Sequence, residues 1–360
     1  MSDTRQATEP SPAPAPAAAP IRRRRSIPVL ALAERFALVG LLVLLVVFFA
    51  VDGTTSGTFL TTANIQTVLG NQSVVAIAAL AVVLPLIGGQ FDVSVGAVVG
   101  LSSIVAASAL SHGWPLVAAI VVAVAIAALV GLVNGVLVAY VGVNSFITTL
   151  AAGTLIGGLI SLYTNNETIT EGIPASLTDF GTTNALGVPW VVWVVVLVAV
   201  LLAFLIGWTV HGRELTSVGA SAPAARLVGI RVDAIIASSF VISSALAGVA
   251  GVVLLSRTGT GNPQVGSGYT LAALSAAFLG ATALKPGQFN VLGTLVGVLF
   301  VAVSVNGLTL AGAKDWVDPV FNGAALMVAV ALSTILGRMR ARGGGASNNN
   351  NDNNETGGAS

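Results

Sequence analysis

Side chains that could carry out chemistry are scarce in this sequence. It has no cysteine, two histidines (His112 and His211) and two lysines (Lys285 and Lys314). The lack of cysteine removes disulfides, thiol catalysis and Cys-ligated metals, and two histidines leave little for a metal site. Neither lysine follows a glycine, so no Gly-Lys-Ser/Thr phosphate-binding loop is present. We therefore predict a chain with no catalytic centre, metal or cofactor.

Asp92 is the exception, because it is the only acid in the apolar stretch 64–140. A lone carboxylate near a membrane needs a partner or a function. Asp92 follows the helix-breaking pair Gly88-Gly89, so we interpret it as the N-cap of the next helix, accepting the N–H of Ser94 or Val95. Direct contact with a ligand or ion, and a proton relay, are the alternatives.

Amides and one aromatic ring form a second group of candidates. Amides within apolar helices often join one helix to another, but they also suit a pathway for uncharged, hydroxyl-rich solutes. An aromatic ring could stack on the apolar face of such a solute, although packing is its usual role. The candidates for a pathway or substrate site are Asn71, Gln72, Gln90, Asn134, Phe146 and Asn306.

Composition indicates the elements that hold these residues. Of 360 residues, 55% are hydrophobic and only 8% are charged, against about a quarter charged in soluble proteins. Mean hydropathy is +0.93. A secreted protein, a soluble enzyme and a nucleic-acid binder are therefore disfavoured. Ten apolar segments predict transmembrane helices, at 36–52, 64–88, 93–111, 115–140, 145–163, 188–210, 234–255, 270–284, 291–311 and 319–337.

The eighth segment and the two ends differ from the rest. Segment 270–284 would rise only about 22 Å, so it is either tilted or a partial span buried in the bundle. Residues 1–35 and 339–360 are predicted to be disordered, the first with a basic block at Arg22–Arg25. No cleavage site follows the first apolar run, which favours an uncleaved helix over a signal peptide. The transmembrane domain is thus predicted over 36–338.

Basic residues set the predicted orientation. With ten crossings, 13 of the 15 basic residues face the N-terminal side and only Arg257 and Lys314 face the other. The positive-inside rule then places both termini in the cytoplasm. Residues 164–187 become an acidic outer loop, which is either a solvated surface or a dock for an outer partner. Residues 211–233 become a cytoplasmic loop.

The cytoplasmic loop contains a predicted short helix. Ser221 is a good N-cap, Pro223 suits the first turn, and Gly219 and Gly229 are expected to set the turns at its two ends. The helix is either a passive connector or a docking helix for a cytoplasmic subunit. The residues assigned to docking are Gly212, Arg213, Gly219, Ser221, Ala224, Ala225, Arg226, Leu227 and Gly229.

Three stretches of this chain resemble a known family over about residues 64–337. They are Gly88-Gly89-Gln90-Phe91-Asp92-Val93-Ser94-Val95-Gly96, then Asn144-Ser145-Phe146-Ile147-Thr148-Thr149-Leu150, and Gly212-Arg213 followed by Gly219 and Ala224-Ala225-Arg226-Leu227-x-Gly229-Ile230. They are similar to the membrane permease of bacterial ATP-binding cassette (ABC) importers for ribose, xylose, galactose and related sugars. The resemblance implies three partners, namely a cytoplasmic ATPase, an extracellular solute-binding protein and a second permease copy or a related permease.

The predicted fold class is an all-α polytopic membrane protein with about ten transmembrane helices. Residues 131–139 and 293–301 are weakly alike and lie in helices of opposite sense, which suggests an inverted repeat. The predicted function is the permease subunit of a sugar ABC importer in the bacterial cytoplasmic membrane. An ion-coupled secondary transporter is the alternative, although it would usually need more intramembrane charges. A channel is disfavoured because no charge ring or filter sequence is visible.

Overall fold

A computed structural model describes residues 28–345, and side-chain surroundings for residues 35–331. The helices are α1 (Pro28–Val51), α2 (Ser56–Phe59), α3 (Thr62–Ile87), α4 (Val95–Ser111), α5 (Leu116–Ala139), α6 (Ser145–Thr164), α7 (Ala175–Thr182), α8 (Trp190–Trp208), α9 (Val210–Ala220), α10 (Ala222–Leu227), α11 (Val232–Thr258), α12 (Gly268–Gly280), α13 (Val291–Leu310) and α14 (Val317–Gly345). Strands β1 (Asn184–Ala185) and β2 (Val188–Pro189) form a small antiparallel hairpin. The described chain is thus almost entirely helical, as predicted.

Each of the ten predicted apolar segments corresponds to one apolar helix. Six helices, α3, α5, α6, α8, α11 and α13, are long and apolar enough to cross a membrane, and four shorter apolar helices lie in α1, α4, α12 and α14. The polytopic membrane class follows from these helices. The count of ten crossings and the cytoplasmic placement of both termini remain predictions.

The structure contains short elements that apolar periodicity did not predict. Helix α7 and the hairpin lie in the predicted outer loop, and α9 lies in the predicted cytoplasmic loop. Helix α9 begins where the Thr209 side chain accepts the N–H of Gly212 at 3.2 Å. The two loops are therefore ordered segments rather than simple connections.

The helix limits at the two ends differ from the predicted domain boundaries. Helix α1 begins at Pro28, within the segment predicted to be disordered, and α14 continues to Gly345, beyond residue 338. Both extensions continue an apolar helix into residues that are good helix formers, such as Ala31 and Ala341, although the last three residues of α14 are glycines. Residues 1–27 and 346–360 lie outside the described part of the chain.

Helices α3 and α11 form the centre of the bundle. Residues 76–86 of α3 are buried throughout, and α11 lies against α3, α4 and α5. Glycine allows the closest approach, because a Cβ at Gly135 would lie 2.8 Å from Ala237 of α11. Small residues replace hydrophobic driving force with close packing in such bundles. In the same way, Gly297 of α13 packs against Ala276 of α12. The relation of α5 to α13 by an inverted repeat stays a prediction.

Helix α12 corresponds to the short eighth segment. It has 13 residues, which rise only about 20 Å. Its residues from Ala273 to Gly280 are all buried, which favours a partial span inside the bundle over a tilted crossing, and the choice between the two stays a prediction. It ends four residues earlier than predicted, because the chain turns through Ala281–Gln288 with Leu284 in a left-handed conformation (φ 59°).

Candidate functional site

Between α3 and α4 the chain leaves the helical conformation over residues 88–94, which we call the break. Pro85 cannot donate to the last turn of α3, and Gly89 adopts a φ of 76° that a side chain would disfavour. The N–H of Gln90 reaches back to the Pro85 carbonyl at 2.8 Å. Proline and glycine therefore end α3 abruptly and place extended backbone against the bundle.

Hydroxyl groups from two other helices satisfy the backbone of the break. Buried backbone groups outside a helix need such partners, because they have neither helical hydrogen bonds nor bulk water. Ser145 and Thr149 of α6 accept on one side, and Thr270 of α12 accepts just beyond the break. The bonds are Phe91 N–H to Ser145 Oγ (3.1 Å), Val93 N–H to Thr149 Oγ1 (3.0 Å) and Gly96 N–H to Thr270 Oγ1 (3.2 Å).

Asp92 is fully buried at the centre of this break. Its carboxylate accepts the Ser94 N–H at 3.0 Å and the Ser94 hydroxyl at 2.6 Å, and it accepts the Ser243 hydroxyl of α11 at 3.2 Å. Asn134 of α5 in turn donates to Ser94 Oγ at 3.1 Å. The carboxylate thus ties the break to α5 and α11.

This geometry refines the predicted cap. Ser94, not Asp92, occupies the position immediately before α4, and its side chain makes no capping hydrogen bond there. Asp92 lies two residues earlier and accepts the Ser94 N–H, one of the two donors that the capping interpretation named. Asp92 therefore fixes the entry of the chain into α4 without being its N-cap.

We expect Asp92→Asn to keep the fold and most transport, because its amide oxygen can accept the Ser94 N–H and its amide can donate to Ser243. Asp92→Ala leaves buried donors unsatisfied and should lower the free energy of unfolding by about 1–3 kcal/mol. Thermal unfolding and uptake measured on both variants test this. Full stability with abolished transport in Asp92→Asn would instead support the proton relay.

Helices α9 and α10 and the turn that follows them, residues 210–229, lie against the break. We call these residues the docking segment, after their predicted role. A Cβ on Gly219 would overlap the carbonyl oxygen of Ile87, at the end of α3. A Cβ on Gly89 of the break would in turn lie 3.9 Å from Gly219 Cα. The prediction that Gly219 sets a turn is therefore corrected. It lies inside α9, where the lack of a side chain allows backbone contact with α3.

Helix α10 presents an apolar tip. The Ser221 hydroxyl accepts the N–H of Ala224 at 3.4 Å, and Gly229 has a φ of 85°, so both ends match their predicted roles. Leu227 is 90% exposed and Val228 is 76% exposed. Two adjacent aliphatic side chains held out of the protein suit a contact with another surface.

The remaining docking residues hold the segment in place. Gly212 is buried where a Cβ would overlap the Leu205 carbonyl, and Arg213 donates to the Trp208 carbonyl at 3.4 Å. Ala225 is buried and Ala224 is exposed. Arg226 pairs with Asp233 at 2.6 Å on the surface, and such an exposed pair adds little stability.

The predicted pathway residues do not form one cluster. Asn134 belongs to the Asp92 network, whereas Asn306 and Asn64 exchange two side-chain hydrogen bonds at 2.9 and 3.1 Å between α13 and α3. Asn71 accepts from Arg257 at 2.6 Å. These contacts are those of amides that join helices. Gln72, Gln90 and Phe146 each keep part of their surface exposed.

Sequence reasoning missed the hydroxyl side chains around the break. Ser243 lies 151 residues from Asp92 along the chain, so no local spacing links them. Thr149 and Ser145 lie within one of the stretches that resemble the sugar permeases, and that resemblance was the signal available for them. Serine and threonine are common in helix contacts, and only the packing of α6 and α11 assigns these three to the break.

Arg257, at the end of α11, organises the outer loop. Its guanidinium donates to the Gly181 carbonyl of α7 at 2.9 Å as well as to Asn71. Ile169 and Gly261 exchange backbone hydrogen bonds at 2.9 and 2.8 Å. Leu186 at the hairpin tip is 93% exposed. The predicted outer loop, residues 164–187, is thus held in place by these hydrogen bonds. Its role in docking a partner remains a prediction.

Comparisons with known proteins agree with this architecture. The profile of a family described as "Branched-chain amino acid transport system / permease component" matches residues 64–331. The ribose import permease of Escherichia coli K12 is 33% identical over 302 residues, covering 83% of this chain and 93% of the relative. The L-arabinose ABC transporter permease of Azospirillum brasilense is 32% identical, covering 81% and 86%. The autoinducer 2 import permease of Escherichia coli is 27% identical, covering 83% and 86%. No solved structure gives a significant match.

Proposed function

Because this chain belongs to the permease component family of branched-chain amino acid and related import systems, we propose that it forms the translocation pathway of an ABC sugar importer. The chain is a multi-pass protein of the bacterial inner membrane and a transport component rather than an enzyme. In the proposed complex a separate ATPase supplies energy, a solute-binding protein delivers the cargo, and a second permease copy completes the pathway.

We propose a small sugar, of pentose or hexose size, or a related polyol as the cargo. Two of the relatives are named for ribose and L-arabinose, which are both uncharged and rich in hydroxyl groups. The described apolar helices carry few charges, and two partly buried amides, Gln72 of α3 and Gln90 of the break, supply polar groups. Amide groups both donate and accept hydrogen bonds, so they suit such a solute.

The observation that carries the proposed mechanism is the contact between the docking segment and the break. Leu227 projects from α10, while Gly219 on the preceding helix touches the end of α3 at Ile87. An ATPase that binds the tip would move α9 against the break, and the break is bonded to α6 and α11. Motion at the tip would thus bias the packing of the bundle.

The secondary-transporter alternative has less support. The relatives are import permeases, one of them explicitly an ABC transporter permease. Within the described residues, the buried Asp92 carboxylate accepts three hydrogen bonds, from Ser94 and Ser243. That arrangement suits a structural carboxylate better than one that must exchange protons or ions during each cycle.

Reconstituted uptake tests the function. Liposomes containing this chain alone, with an ion gradient, should accumulate no labelled ribose or L-arabinose and hydrolyse no ATP. Adding the ATPase and the solute-binding protein encoded with it should produce ATP-dependent uptake. Gradient-driven uptake by the chain alone would contradict the proposal and support the secondary carrier.

Cysteine labelling tests the proposed orientation. The chain has no cysteine, and Ser217 and Thr182 are both exposed, on α9 and α7 respectively. In intact cells a membrane-impermeant thiol reagent should label Thr182→Cys and leave Ser217→Cys unlabelled until the membrane is permeabilised. The reverse pattern would overturn the orientation while leaving the fold intact.

A further inference from the structure

A cleft of about 780 Å³ opens at the end of the bundle where α9 meets α3. Its walls come from the ends of α3 and α8, from α9, from the turns at 284–290 and from the start of α13. Two cationic residues, Arg35 and Lys285, line it, and we call it the cation cleft. No acidic residue is among those that line it.

A backbone hydrogen bond brings the two cationic residues to the same cleft. The N–H of Leu284 donates to the Arg35 carbonyl at 2.9 Å, which joins α1 to the turn that carries Lys285. Leu284 holds a φ of 59°, a left-handed conformation that is costly for leucine. The hydrogen bond and the left-handed turn therefore hold the backbone at Lys285 close to that at Arg35, and both residues line the cleft.

Neither cation has a carboxylate partner among the side chains that the structure describes. Among the side chains described over residues 35–331, the single ion pair is Arg226–Asp233, so neither Arg35 nor Lys285 has a described carboxylate within 4.0 Å. Like charges held at one cleft repel one another and favour an anion between them. Gln288 and Thr216 add groups that can donate hydrogen bonds at the same rim.

Apolar side chains supply most of the remaining walls, beside Thr216, Gln288 and Asn290, and exposed apolar residues lie next to the cleft on α8 and α13. Leu86, Ile206 and Leu292 line it. Leu292 is 64% exposed, and Phe204 on the neighbouring face of α8 is 59% exposed. An inorganic anion would gain nothing from such walls, whereas a molecule with an anionic head and acyl chains would contact both parts.

We propose that the cation cleft binds the headgroup of an anionic phospholipid. The phosphate lies between Arg35 and Lys285, and the acyl chains follow the apolar faces of α8 and α13. Clefts between helices that combine basic residues with apolar walls bind such headgroups. Because Thr216 and Gly219 of α9 line the same cleft, the lipid also supports the docking segment from the membrane side.

Native mass spectrometry of the whole purified chain tests this proposal without any transport assay. The protein is exchanged from nanodiscs of phosphatidylcholine with phosphatidylglycerol into mild detergent, and retained lipid is counted. We expect the unaltered chain to retain phosphatidylglycerol. The double variant Arg35→Gln/Lys285→Gln should retain at least about tenfold less, because each cation near a membrane contributes substantially to anionic-lipid binding.

Matched controls separate this site from general charge effects. Arg231→Gln and Lys314→Gln remove exposed cations that do not line the cleft and should retain phosphatidylglycerol fully. Both single variants at Arg35 and Lys285 should lose part of it, which provides a readout if the double variant is unstable. Equal retention in all variants, or displacement of the lipid by millimolar inorganic phosphate, would overturn the proposal and leave the transport function untouched.

Discussion

Gly219→Val is expected to separate ATP hydrolysis from transport while leaving the chain inserted in the membrane. A Cβ at this position would overlap the Ile87 carbonyl, so the valine must push α9 away from the break. Forcing a side chain into a site that fits only glycine costs about 1–3 kcal/mol. Because α9 lies at the surface and can move outward, we expect the variant to keep most of its stability. We expect stimulation of the ATPase by loaded binding protein to fall at least about tenfold, a size typical of coupling free energies.

Gly323→Val is the matched control, because Gly323 lies inside α14, away from α9 and the cation cleft, and a Cβ there meets nothing within 4 Å. The control should retain stimulation close to that of the unaltered chain. Membrane insertion, thermal unfolding and stimulated ATPase rate are measured for both in the assembled complex. Equal stimulation in the two variants would show that the contact of α9 with the break does not transmit motion.

Local chemistry explains why the spans were predictable. Hydropathy and length are properties of a continuous stretch, so segment 291–311 matches α13 and segment 234–255 falls within α11. The end of α3 was also readable, because Gly88-Gly89 weakens the helix at the point where the apolar segment ends, whereas Gly157-Gly158 lies within an apolar segment and α6 continues through it. Ser221 and Gly229 flank α10 for the same reason, since caps act within one turn of the chain.

The arrangement around the break was not readable, because its bonds join residues far apart in sequence. Asp92 was recognised as unusual, but Ser243 and Asn134 become its neighbours only when α5 and α11 pack together. The role of Gly219 likewise depends on a contact with a residue distant in sequence. Its sequence context fits a turn, and only the approach of α3 reveals that the missing side chain makes room for a carbonyl group.

Leu227→Asp is expected to abolish stable association with the ATPase without changing the free energy of unfolding. The side chain is 90% exposed, so a charge there costs the isolated permease almost nothing. In a complex, the same leucine would be buried in an apolar groove, and loss of such an anchor costs about 2 kcal/mol or more. That corresponds to about 30-fold weaker binding, which co-purification of the ATPase with the permease would detect.

Leu186→Asp is the matched control for this last change. Leu186 is 93% exposed at the hairpin of the outer loop, and its φ of 53° is one that aspartate tolerates better than leucine. The two variants therefore carry the same substitution at equally exposed sites on opposite predicted sides of the membrane. Loss of the ATPase from Leu227→Asp alone assigns its docking site to the tip of α10. Equal co-purification from both variants would make α10 a passive connector, because an apolar anchor cannot be replaced by a charge without weakening the interface that buries it.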